Sequence, residues 1–257
     1  MSLYMHFRKE EHPFVDQVLE WKTIVLDQYR PKLTDFLDPR QQEIVRSIIG
    51  QHDEMKVSFW GGHDLSERKR CLLYPSYYEP ENSDFEIVPF ELNYPTKFVT
   101  IEHRHILGAL MNIGLKREKF GDIITDGERF QIIVANEIAD FTEWNLTSVG
   151  KAKISLEPIK IEEIIRPSDE YTYQDVTVSS LRLDTIISEV YKLSRSKVKP
   201  FIESNLVKVN WKVVVDPSFS LQEKDVVSVR GKGRCEIDAI EGKTRKDKWR
   251  IQIRAPK

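Results

Sequence analysis

Gly61-Gly62-His63-Asp64 is the stretch of this chain most like an oxyanion loop or a catalytic dyad, because it sets two small residues beside an imidazole and a carboxylate. Acyl transfer also needs an activated nucleophile, and no GxSxG accompanies the loop, so the four residues read as a tight turn. His103-Arg104-His105 offers two imidazoles two positions apart, which diverge on a helix, and no HExxH spacing completes a metal set. Gly108 and Gly114 lack the Gly-Lys-Ser/Thr ending of a phosphate loop, and no GxGxxG follows a strand. The two cysteines, Cys71 and Cys235, are far apart and have no CxxC partner, which argues against a disulfide framework or a cysteine zinc site. The expectation is a chain with no catalytic residues, no cofactor and no metal.

A different chemistry, the holding of phosphate, is written into the last third. From 181 to 257 the chain carries 18 Lys and Arg against 10 Asp and Glu, whereas the first 180 residues carry 21 against 31. This asymmetry behind a net charge of -2 points to a basic module for a polyanion carried by an acidic body. Arg182, Arg195, Lys197 and Lys199 are the leading phosphate ligands. Arginine presents a planar fork of donors, and a helix amino terminus adds backbone N–H groups.

Two short helices must position those cations. Leu183, Ile186, Ile187 and Val190 form one helical stripe, and Val198, Phe201 and Ile202 form a second, leaving the four cations on a shared polar face. Ser194 supplies a capping hydroxyl for the second helix, and Pro200 should remove a hydrogen bond inside it. Three strands follow, around 206–210, 212–215 and 225–230, with a basic turn at Gly231-Lys232-Gly233-Arg234.

Upstream, apolar spacing predicts a helix from Pro13 to Tyr29 and a second opened by Asp38-Pro39 and ended by Gly50. A strand at 56–60 and a short apolar stretch at 71–74 complete a small α/β domain over residues 1–80. A linker at 78–83 precedes strand, helix, strand, strand, helix, strand between 85 and 156, the order of a ferredoxin-like βαββαβ domain, taken as residues 81–165. RNA-recognition-motif domains share that order, but the base-stacking aromatic consensus is missing from Arg129 to Val134. Residues 158–172 read as a second linker, and 180–257 as the basic module with a carboxy-terminal strand extension. The fold class is α+β in three small domains. No apolar run approaches the ~20 residues of a membrane span, and no secretory signal is seen, so the chain is expected to be cytoplasmic, off the membrane and a monomer.

Arg182-Leu183-Asp184, Ser194-Arg195-Ser196, Ile202, Val207 to Asn210 and Asp225 to Gly233 together resemble the S-four RNA-binding domain over about 60 residues. Asn205 stands where that family usually has glycine, a change asparagine tolerates because it also visits left-handed backbone. The resemblance implies an α-L fold gripping structured RNA through Arg182, Ser194, Arg195, Lys197, Lys199, Lys208 and Asn210. Further motifs, Phe59 to His63 with Glu67 to Arg70, His103 to Leu110, Gly114 to Asp122 and Asn145 to Gly150, resemble YlmH-type proteins of Gram-positive bacteria. That family implies a cytosolic factor on the large ribosomal subunit that binds ribosomal RNA and meets peptidyl-tRNA while stalled nascent chains are processed. Lys116, Arg117 and Lys119, on a basic turn, are a second candidate RNA contact. Two alternatives stay open. One is an RNA-modifying enzyme, a pseudouridine synthase or methyltransferase delivered by an S-four domain, although Arg182-Leu183-Asp184 lacks the glycine-leucine continuation of the former. The other is an interaction protein of cell division.

Overall fold

The computed structural model describes residues 3–7, 9–50, 54–166 and 171–256. They form two compact units, Met1–Ser168 and Asp169–Lys257.

The first unit opens with α1 (His12–Gln28), where Pro13 sits in the first turn and Val15, Val18, Trp21 and Val25 are buried. Strand β1 (Lys32–Leu37) leads into α2 (Pro39–Ile49). A capping box starts α2: the Asp38 carboxylate accepts from Gln41 N–H and the Gln41 side chain accepts from Asp38 N–H, each at 2.9 Å. Removing such a cap costs about 1 kcal/mol. Strands β2 (Met55–Trp60) and β3 (Lys69–Pro75) complete an antiparallel sheet in the order β1-β3-β2. Strand β1 escapes a reading by alternation because its register slips between Leu33 and Phe36. Leu37 therefore joins the core under α1 and α2, while Phe36 joins a cluster with Ile124 and Ile133 further along the chain.

The ferredoxin-like part comprises β4 (Ile87–Asn93), α3 (His103–Asn112), β5 (Phe120–Thr125), β6 (Phe130–Ala135), α4 (Ala139–Asn145), a small hairpin of β7 (Ser148–Val149) and β8 (Ala152–Lys153), and β9 (Ser155–Pro158). Its sheet runs β5-β6-β4-β9 with every neighbour antiparallel. One side packs on the helices through Phe90, Ile106, Leu110, Phe120, Ile132 and Val134. The other side carries Ile124, Ile133 and Ala135, and is covered by Phe36, Ile164 and Ile165. Two expected linkers are corrected here. Residues 82–85 form a 3-10 turn with Phe85 buried, and Ile164 and Ile165 are core residues. Of the second linker, residues 167–170 lie outside the described residues.

Gly61 and Gly62 belong to this packing. A Cβ on Gly61 would lie 2.3 Å from the Arg68 carbonyl oxygen, and one on Gly62, whose φ is +104°, would lie 2.9 Å from Ile133 Cδ1. Gly61→Ala is expected to destabilise the first unit by roughly 1–3 kcal/mol, because a backbone oxygen cannot give way as a side-chain tip can. Gly108→Ala, within α3 and with nothing inside 4 Å, should instead stabilise by about 0.5–1 kcal/mol. Urea unfolding of the two variants checks the contrast.

The second unit begins earlier than position 180, with β10 (Tyr171–Val178). It continues through α5 (Leu183–Val190), α6 (Arg195–Glu203), β11 (Val207–Val209), β12 (Lys212–Val213), β13 (Val226–Val229), β14 (Gly233–Lys243) and β15 (Trp249–Pro256). The six strands form one sheet in the order β10-β15-β14-β13-β11-β12. Leu183, Ile186 and Ile187 of α5 with Val198 and Ile202 of α6 bury their stripes against Val207, Val227, Ile237 and Ile251. Pro200 lies within α6, which runs unbroken from Arg195 to Glu203. Asn205 takes a φ of 60°, the left-handed turn that sends the chain into β11.

Candidate nucleic-acid interface

Arg182 occupies the position before α5, and its guanidinium bonds Asp184 twice, Nε at 3.1 Å and Nη2 at 2.9 Å. The pairing raises the pKa of Arg182 above its ordinary value. Burial pushes the Asp184 carboxyl up, but the bonds and charge of Arg182 together with the bonds from Thr185 leave it below the usual range. Arg182 thus reaches a ligand with its charge largely matched in place.

Arg195 differs. It opens α6, is exposed, and its Nη2 donates to two hydroxyls, Ser179 Oγ at 3.1 Å and Thr185 Oγ1 at 3.0 Å. Hydroxyls orient a guanidinium without neutralising it, so the full charge stays available to an incoming phosphate. Neither Ser179 nor Thr185 was singled out from sequence. The signal was there in the hydroxyl pair Ser179-Ser180 ahead of the helix and in Thr185 within its first turn.

Lys197 and Lys208 are exposed and, among the described residues, have no ion pair; Lys208 sits mid-strand in β11. Lys199 pairs with Glu203 one turn on, at 3.5 Å. Arg182, Arg195 and Lys199 line one open cleft that they share with Asp184, Glu203 and Asp216. Of the five cations that the resemblance names, those with least internal compensation are therefore Arg195, Lys197 and Lys208.

Two residues named from the resemblance turn out to be engaged within the fold. Ser194 holds the capping position, but its hydroxyl meets Ser196 Oγ at 2.9 Å and makes no cap bond. Asn210, at a φ of 48°, donates from Nδ2 to Asp225 at 2.7 Å and accepts from Val226 N–H at 2.9 Å. Its amide thus latches the turn after β11 onto β13.

The expected basic turn at 116–119 is corrected more sharply. Lys116 is exposed, but Arg117 is folded inward, donating to the Phe120 carbonyl at 2.6 Å and the Gly121 carbonyl at 3.1 Å, with its guanidinium 4.5 Å from the centre of the Phe120 ring. Burial, aided by Arg68, pushes it down to about 10. Lys119 bonds Asp35 at 2.7 Å and Glu137 at 3.1 Å. Arg117 thus braces the start of β5, and Lys119 ties β1 to the ferredoxin-like part. Arg117→Ala is accordingly expected to cost about 1–3 kcal/mol of stability by leaving two carbonyls unpaired. The same variant should leave the salt dependence of RNA binding untouched, which a filter-binding series would check.

The loop that resembles a catalytic dyad also has a structural role. Asp122, pushed up by burial, accepts from the backbone N–H of Glu67 at 2.7 Å and of Arg68 at 3.1 Å. Ser66 Oγ donates to the Gly61 carbonyl, and burial lowers the His63 imidazole. His105 Nδ1 accepts from the Glu102 N–H at 3.3 Å, a helix-capping arrangement. The sheet face on which RNA-recognition motifs stack bases is filled by Phe36, Ile164 and Ile165, and buried Gln131 there bonds Glu91, the Glu163 carbonyl and Ile165 N–H.

A split βαβ body and a helix pair edged with cations beside a curled sheet define a class: multidomain α+β proteins built around an S-four module. Family models match in the same order: "YlmH, N-terminal" over residues 10–78, "Putative RNA-binding domain in YlmH" over 80–163 and "S4 domain" over 181–227. A Bacillus subtilis (strain 168) protein named ribosome-associated protein quality control protein P2 is 51% identical over 256 residues, which is 100% of this chain and 99% of that relative. The solved structure of cell division protein YlmH from Streptococcus pneumoniae is 37% identical with a TM-score of 0.55, covering 64% of this chain and 100% of that one. The chain belongs to the YlmH family.

Proposed function

We propose that this protein binds structured RNA without catalysis: ribosomal RNA on the large ribosomal subunit, next to peptidyl-tRNA, in the quality control of stalled translation. The observation that carries the reading is Arg195, held by two neutral hydroxyls at the start of α6 with uncompensated Lys197 two residues on. That arrangement suits a phosphate backbone, whose contacts position a protein without reading sequence. The name of the Bacillus subtilis relative supports the ribosomal setting. Arg182, Lys199 and Lys208 extend the contact, and the three modules at 1–80, 81–165 and 180–257 divide the labour, with the S-four module as the RNA grip. The protein acts in the cytoplasm as a monomer; no helix among the described residues is long and apolar enough to cross a membrane.

The test is gradient sedimentation of lysate in which translation has been stalled, with the protein followed by immunoblot. Enrichment with large subunits carrying peptidyl-tRNA is the expected result. A protein confined to the top of the gradient would reject the ribosomal reading and leave the cell-division one. Uridine isomerisation or methyl transfer on ribosomal RNA by the purified protein would reject the non-catalytic one.

A further inference from the structure

The S4 match ends at residue 227, yet the sheet continues into the β14–β15 hairpin, which begins at Gly233. Residues 243–250 around its tip, Lys-Thr-Arg-Lys-Asp-Lys-Trp-Arg, hold five cations and one carboxylate. All five cations are exposed, and only Lys243 has an acidic partner among the described residues, Asp247 at 2.7 Å. Lys243 Nζ also lies 5.2 Å from the centre of the Trp249 ring. Arg245, Lys246 and Lys248 on the turn and Arg250 at the start of β15 have no acidic partner among the described residues, a concentration of one sign of charge that attracts a polyanion.

The position of the tip supplies the second observation. Val178, the last residue of β10, pairs with Trp249, the first of β15. Ser179 and Lys248 are the next residues beyond that pair, Ser179 in a bend directly after β10. Ser179 is the residue whose hydroxyl receives the Arg195 guanidinium. Lys248 of the tip and Ser179, which holds Arg195, thus flank the same strand pair.

We infer that the β14–β15 hairpin tip is a second phosphate-binding element, through which Arg245, Lys246 and Lys248 grip the backbone of the same structured RNA beside the α5–α6 site. This rests on the RNA-binding reading proposed above. The contact is to phosphate and carries no base preference, because long flexible cations on a turn present no fixed donor pattern to a base edge.

Arg245→Gln, Lys246→Gln and Lys248→Gln combined in the full chain test it. The turn is held by the Thr244 N–H to the Lys248 carbonyl at 2.7 Å, the Asp247 N–H to the Thr244 carbonyl at 3.0 Å and the Lys248 N–H to Thr244 Oγ1 at 3.2 Å, all of which survive these substitutions. The probe is purified large ribosomal subunits, titrated over a salt series. The expected result is at least a tenfold loss of affinity, with the log affinity against log salt slope flatter by about 0.7 to 0.9 for each phosphate contact removed. An unchanged slope and affinity, in a series where Arg195→Glu with Lys197→Glu does lose binding, overturns the hairpin assignment and leaves the RNA-binding reading standing. If neither variant changes binding, the RNA-binding reading falls and the hairpin assignment with it. A parallel titration uses vesicles of phosphatidylserine and phosphatidylcholine. Loss of vesicle binding with full retention on ribosomal subunits overturns the assignment in favour of a membrane contact.

Discussion

Arg195→Glu combined with Lys197→Glu is expected to lower affinity for the large ribosomal subunit by about 100-fold or more, enough to remove the protein from those fractions in a gradient. A hydrogen bond to a charged group contributes about 1.5–3 kcal/mol, and a factor of ten corresponds to about 1.4 kcal/mol, so losing two such contacts already reaches that scale before repulsion is added. The slope of log affinity against log salt should flatten by about 1.4 to 1.8. Folding should survive, because both side chains are exposed and Arg195 gives up only its bonds to Ser179 and Thr185. Arg182→Ala is a useful contrast: its charge is already matched by Asp184, so it should weaken binding less than Arg195→Ala. Full cosedimentation of a folded Arg195→Glu, Lys197→Glu protein would reject the assignment.

The second large effect lies in stability. Phe36→Ala should destabilise the first unit by about 3–5 kcal/mol, the usual range for truncating a fully buried aromatic ring. Domain stabilities are about 5–15 kcal/mol, so this removes a large share. Phe36 is wholly buried among Ile124, Ile133, Ala135, Ile164 and Ile165, and its Cε1 would lie 2.8 Å from a Cβ built on Gly121. Truncation would open a cavity where β1 meets the ferredoxin-like sheet, between elements that Lys119 also connects. Denaturant unfolding followed by tryptophan fluorescence is the measurement, with affinity for large subunits recorded in parallel. A loss below about 1 kcal/mol would mean that the sheet face is held mainly by Ile164 and Ile165.

Both predictions depend on distinctions that sequence reading reached unevenly. The α1 and α2 helices were legible because their apolar spacing is long and their ends carry proline, a capping box and Gly50. The βαββαβ order was legible for the same reason, as strand and helix periods alternate cleanly there. Strand β1 was missed because a bulge breaks its alternation and a buried Thr34 interrupts the apolar run, its hydroxyl accepting from Cys71 N–H at 2.9 Å. Strand β10 was missed although Val176 and Val178 are buried at period two, since most of its other side chains face solvent.

By itself the sequence determined most of the helices and strands, the concentration of positive charge after Leu181, and the resemblance that placed an S-four module there, because these depend on residue type and local spacing. Only tertiary structure decided which cations remain unmatched. Arg117 turned inward to the carbonyls of Phe120 and Gly121, Lys119 met carboxylates from elsewhere in the chain, Arg182 took Asp184, and Arg195 met two hydroxyls instead. The charge of a side chain is local, but which neighbour its tip reaches, near in sequence as for Arg182 or far as for Lys119, is set by how the backbone packs, and no periodicity records that meeting.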